Sequence, residues 1–160
     1  MEITVNSQLL AQELRLLSKV VADKPALPVL SNVLFEAEAG LRMSATDFEL
    51  CMRCECKATV SQMGSITLPS KKLLDLVEQL PDADVRLVYD PKRMAVRISC
   101  GSFNSHLQAL PAEDFPALPE VEGTAFALPS VSLRFIIART RYAIADNKQK
   151  HFLSAALLSL

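Results

Sequence analysis

Residues 3–37, ITVNSQLLAQELRLLSKVVADKPALPVLSNVLFEA, recur without a gap as residues 126–160, FALPSVSLRFIIARTRYAIADNKQKHFLSAALLSL. Ser7 aligns with Ser130 and Leu10 with Leu133. Ala22-Asp23 aligns with Ala145-Asp146, Leu30-Ser31 with Leu153-Ser154, and Leu34 with Leu157. The shared pattern says more than the identities: an apolar opening, an amphipathic helix, an Ala-Asp exit, a polar loop, an apolar strand. The period of 123 residues lies far outside the roughly 20–50 residues of solenoid repeats. It marks a repeated domain: one complete module over residues 1–122, then the start of a second over residues 123–160.

Bulk properties fit that division. A first part of this size can bury its own core, whereas the second is below the rough 40-residue floor for folding unaided and needs more chain or a partner. Half of the residues are hydrophobic, which excludes a disordered tail. Net charge is −1, divided as −5 over residues 1–122 and +4 over residues 123–160. An acidic body with local basic faces suits contact with a polyanion on one surface. The opening Met1-Glu-Ile-Thr-Val has no basic segment followed by an apolar run, and no stretch reaches the roughly 20 apolar residues of a membrane span. Four cysteines suit a reducing, cytoplasmic setting.

Periodicity gives the elements. A strand over residues 2–6 precedes a helix with Asn6 or Ser7 as N-cap and Leu9, Leu10, Leu14, Leu17 and Val21 on its buried face. Pro25 stops it. Strands follow at residues 32–37, 41–45, 48–60 and 65–68. A second helix opens at Pro69-Ser70 and buries Leu73, Leu76, Val77 and Leu80. Three further strands cover residues 85–89, 94–99 and 103–109. Residues 110–123 carry three prolines and four acids and read as a linker. The second module then repeats strand (125–128), helix (130–145), loop and strand (152–160). The expected fold is α+β, a module of two helices packed on mostly antiparallel sheets and repeated with pseudo-symmetry.

The polar helix faces are basic. Gln8, Ala11, Gln12, Arg15, Ser18 and Lys19 lie opposite the leucines, and Arg15 and Lys19 are like charges four apart. The equivalent face of the second module holds Arg134, Phe135, Ala138, Arg141 and Tyr142. Lys71 and Lys72 open the second helix against its macrodipole, which points to an external anion. With no base-reading motif, such faces would meet phosphates without sequence preference.

Enzymatic constellations are sparse. Four glycines exclude a dinucleotide or Walker loop, and neither His106 nor His151 has a carboxylate at triad spacing. Cys51, Cys54 and Cys56 fall within one strand, where inert buried thiols are expected in place of zinc ligands. Asp47 and Glu49 share a strand face in this reading and leave open a divalent-metal enzyme, although a turn role suits Asp47 equally. No cofactor is expected.

Several motifs together resemble one family. They are Met1-Glu-Ile-Thr-Val, Lys24-Pro-Ala-Leu-Pro-Val-Leu30, Ala45-Thr-Asp-Phe-Glu49, Ile66-Thr-Leu-Pro-Ser-Lys-Lys-Leu-Leu74 and Leu110-Pro-Ala-Glu-Asp-Phe-Pro116. In this order they are similar to the bacterial sliding clamps, the beta subunits of DNA polymerase III. The resemblance implies three such domains per chain and a head-to-tail homodimer ring around duplex DNA. Helices would line the hole, and the replicative polymerase and clamp loader would dock on the ring. It assigns DNA contacts to Lys24, Lys71, Lys72, Asn147, His151 and Phe152. It gives Leu153 to a partner-peptide pocket and Leu107 to the subunit interface. Residues 150–155, Lys-His-Phe-Leu-Ser-Ala, depart from the family's Arg-x-x-Leu-Asn-Gly by losing a bidentate arginine and a turn-permissive pair. A clamp-like module that does not encircle DNA is the remaining alternative.

Overall fold

The computed structural model describes residues 1–21, 25, 27–119, 123, 126–144 and 155–159. The chain divides into two compact units, Met1–Pro119 and Glu120–Leu160. In the first, strand β1 (Glu2–Asn6) leads directly into helix α1 (Ser7–Leu17). Asn6 makes that transition. Its backbone is extended, and its Oδ1 accepts from the N–H groups of Gln8 and Leu9 at 3.0 and 3.2 Å, satisfying two donors that a helix start leaves orphaned. Ser7 ties this start to the far end of helix α2 (Ser70–Glu78). Its Oγ donates to Pro81 O at 2.7 Å and its N–H to Ala83 O at 3.0 Å.

Among the described residues nine strands form two sheets. The other strands are β2 (Asn32–Ala37), β3 (Leu41–Thr46), β4 (Cys51–Cys56), β5 (Ala58–Gln62), β6 (Gly64–Pro69), β7 (Asp84–Asp90), β8 (Ala95–Cys100) and β9 (Phe103–Gln108). One sheet runs β5-β1-β7-β8-β9 and the other β4-β3-β2-β6, with every pairing antiparallel. Alternation sends one face of each inward, and the two faces share a single core with α1 and α2. Ile3, Leu14, Phe35, Met43, Leu73 and Leu87 are fully buried in it. Gly64 is required where β6 begins, because its φ is +150° and a Cβ there would meet Met1 Cβ at 3.2 Å.

The structure corrects several expectations. The long strand expected over residues 48–60 is a turn followed by two strands in different sheets, with Lys57 between them. One alternating run serves both, since Cys54 and Cys56 pack into the core from one sheet and Ala58 and Val60 from the other. On α1, Leu9 is exposed and Ala11 is buried. The buried stripe is Ser7, Leu10, Ala11, Leu14 and Leu17, and Leu9 lies a quarter-turn off it. Part of the expected linker also packs: Leu110 and Thr67 exchange backbone hydrogen bonds of 3.0 and 3.1 Å, and Phe115 is buried with Val29 and Leu30.

In the second unit, helix α3 (Ser130–Thr140) gives way to a 3-10 turn at Arg141–Ala143, short of the helix end expected at residue 145. No strand forms among the described residues 126–128 and 155–159, where strands were expected.

A joint core makes a clear mechanical prediction. Phe35→Ala should cost about 3–5 kcal/mol in urea denaturation, and Asn6→Ala about 1 kcal/mol through its lost cap. A Phe35→Ala variant within ~0.5 kcal/mol of the parent, the range of an ordinary surface change, would contradict burial at the junction of the two sheets.

Candidate nucleic-acid interface

Helices α1 and α2 give their apolar stripes to the core and so turn their polar faces outward. At the start of α2 the N-cap is Pro69, which makes no side-chain cap hydrogen bond, and the first turn carries no acidic residue. The uncapped N–H groups and the dipole both favour an anion there. Lys71 and Lys72 are exposed in that first turn, adding formal charge of the same sign.

Arg15, also expected on this face, is ion-paired. Its Nε donates to Glu78 Oε1 of α2 at 2.6 Å, an ion pair linking the two helices. With 55% of the Arg15 side chain exposed, such a pair contributes only about 0–1 kcal/mol and is screened by salt. The guanidinium therefore remains open to solution. A separation of 63 residues left this pair invisible to local sequence reasoning. Lys19 does not share a helical face with Arg15, because α1 ends at Leu17.

In the second unit Arg134 is exposed on α3. Arg141, expected one heptad further along the same helix, stands in the 3-10 turn. The sequence reading missed Arg139, whose guanidinium lies 5.1 Å from the centre of the Phe135 ring. The signal was available, since an aromatic and a cation four residues apart on a helix are neighbours. Lys24, Asn147, His151, Phe152 and Leu153 lie outside the described residues.

Leu107 is half-buried on β9, opposite Val96, and packs against the core of its own unit. β9 is an edge of the five-stranded sheet, so one side of its backbone is available for pairing beyond that sheet.

Asp47 and Glu49 do not share a strand face. They sit in the β3–β4 turn, where Asp47 Oδ1 accepts from the N–H groups of Glu49 and Leu50 at 3.0 and 2.7 Å. That is a turn-closing carboxylate. Among the described residues no cluster of three potential metal ligands exists, and no helix is long and apolar enough to cross a membrane.

The cysteines also differ from expectation. Cys51 is exposed, Cys54 is half-buried and only Cys56 of the three is buried. Burial, then the adjacent Glu13 carboxylate, pushes the Cys54 thiol up to about 11 from 9.0, and the same two causes raise Cys56. Both favour the thiol over the nucleophilic thiolate. Because the folded value is raised, this contribution to stability is complete below pH 9 and is lost as pH climbs toward 11. Iodoacetamide at pH 8, followed by peptide mass mapping, should label Cys51 first. The Cys54 rate should then rise about tenfold per pH unit up to pH 10. Equal labelling of Cys51 and Cys54 at pH 8 would contradict the burial of Cys54.

Comparison with known proteins places this geometry. Residues 1–119 match the family described as DNA polymerase III beta subunit, N-terminal domain. The beta sliding clamp of Synechocystis is 38% identical over 154 residues, covering 91% of this chain and 39% of that protein. The beta sliding clamp of Chlamydia pneumoniae is 32% identical, covering all of this chain and 44% of that one. Among solved structures, the DNA polymerase III subunit beta of Pseudomonas aeruginosa superposes with a TM-score of 0.87 at 31% identity, over 96% of this chain and 42% of that one. A Caulobacter crescentus pol III beta does so with a TM-score of 0.87 at 32% identity. The chain thus spans about two fifths of the length of these relatives. Over the whole of its two-sheet unit, the chain belongs to the family of DNA polymerase III beta subunits.

Proposed function

We propose that this chain is the N-terminal part of a replication processivity factor, a sliding clamp whose ring encircles duplex DNA and tethers the replicative polymerase. The observation that carries the proposal is the exposed Lys71-Lys72 pair at the uncapped N-terminus of α2, in a chain of the beta-subunit family. The scaffold makes and breaks no bonds in this role. Phosphates met by a few exposed cations exchange counterions rapidly, so binding is independent of sequence and loose enough to slide. Arg15 adds a salt-bridged cation to the same helix layer.

Residues 1–122 are the first clamp domain in this proposal, and residues 123–160 begin the second, which brings Arg134 on an equivalent helix, and Arg141 in the turn that follows it, to DNA. Lys24, Asn147, His151 and Phe152 carry further DNA contacts by resemblance to the family. Leu153 opens the pocket for polymerase and clamp-loader peptides. Leu107, on the edge strand β9, meets a second chain in a homodimer ring. The setting is cytoplasmic and no cofactor takes part. A metal-dependent enzyme built on Asp47 and Glu49 is disfavoured, because the Asp47 carboxylate already closes its own turn.

Two experiments test this. Lys71→Ala/Lys72→Ala should weaken association with unrelated duplexes by similar factors; loss confined to one sequence would mean base readout. The complete gene product should stay on closed circular DNA and run off linear DNA. Equal loss from both would leave only a clamp-like module that does not encircle.

A further inference from the structure

The β3–β4 turn holds an aromatic ring in water. Thr46 Oγ1 donates to Leu50 O at 2.9 Å and accepts from Phe48 N–H at 3.1 Å. Asp47 Oδ1 accepts from Glu49 and Leu50, and Asp47 N–H donates to Leu50 O at 3.2 Å. These five bonds fix a backbone in which Phe48 has φ 75°, a left-handed conformation that costs a bulky side chain about 1–2 kcal/mol. Phe48 is nevertheless 64% exposed and Leu50 53% exposed. The ring serves no core, and rigid, strained, exposed side chains of this kind belong to contact sites.

Strand register shows what lies beside it. Leu34 faces Ser44, Thr46 faces Cys51, and Asn32 faces Pro69. The turn, the start of β2 and the end of β6 therefore share one end of the four-stranded sheet, and α2 begins there with Lys71 and Lys72. Three strand spacings separate β4 from β6, roughly 14 Å. Leu27, ahead of the 3-10 turn Pro28–Ser31 that leads into β2, is also exposed. Of the acids here, Asp47 is engaged by two N–H groups, and Glu49 is exposed.

We propose that Phe48 is a stacking platform for an unpaired DNA base, with a single strand running across that end of the sheet from Lys71-Lys72 to the turn. The proposal rests on the DNA-tethering function and extends it. A duplex cannot use the ring, because its bases are already stacked on each other and present only phosphates and groove edges. An unpaired strand offers both the phosphates that lysines attract and the π-faces that an aromatic ring takes without regard to sequence.

The test uses the 160-residue chain and fluorescence anisotropy at low salt. Its probes are a short oligothymidylate, an abasic strand of equal length and a duplex. Phe48→Ala and Phe48→Leu should each lose about tenfold in affinity for the oligothymidylate. Phe48→Tyr should retain affinity, and none of the three should change binding to the abasic strand or the duplex. The exposed ring leaves melting temperature unaffected in all three variants. Unchanged oligothymidylate binding by Phe48→Ala, or equal wild-type affinity for abasic and base-bearing strands, overturns the stacking site. If Lys71→Ala/Lys72→Ala leaves duplex binding intact while the Phe48 effect persists, the tethering function fails and the stacking site stands.

Discussion

Everything in the first unit depends on one core shared by two sheets. Neither sheet can cover its own inner face, so each uses the other and the stripe of Leu10, Leu14 and Leu17 on α1. The chain reinforces this by crossing between sheets repeatedly: from β1 to β2, from β4 to β5 through Lys57, from β5 to β6, from β6 to β7, and again where Leu110 pairs with Thr67 after β9. A helix that must commit its leucines inward has no choice about its polar face. The outward placement of Arg15 and of the Lys71-Lys72 pair is thus a consequence of packing as much as of selection for charge.

In the proposed role that outward face needs to attract only weakly. The uncapped start of α2 and its two lysines favour an anion. Glu78 takes up part of the charge of Arg15, and the unit as a whole is acidic. A uniformly cationic surface would hold a polyanion too firmly to move along it, since every phosphate neutralised adds to the salt-dependent affinity. A few exposed cations on an acidic body provide attraction without immobilisation. The β3–β4 turn is of a different kind. It is rigid and apolar at its tip, suited to what a duplex does not display.

The elements were largely legible from sequence because the periodicities are strong. β1, α1, β2 and α2 all begin at or within a residue of where the pattern places them. The switch at Lys57 was not legible, because alternation continues through it and period alone does not say which sheet a strand joins. Leu9 misled because α1 has apolar residues on two sides, and only tertiary packing selects Ala11. Phe115 looked like linker because prolines and acids surround it. At the site, the charges of Lys71 and Lys72 were visible but the partner of Arg15 was not, being supplied by another helix. The Asp47-Glu49 pair resembled a metal site until hydrogen bonding showed its carboxylate closing a turn.

The central claim is that cations on a packed helix layer meet phosphates and nothing else. A salt titration of wild-type binding to two unrelated duplexes tests it most directly. The account predicts straight lines of log affinity against log salt that coincide for the two sequences, with a slope of about −2 or steeper. Affinity that ignores salt, or lines that separate by sequence, would contradict it.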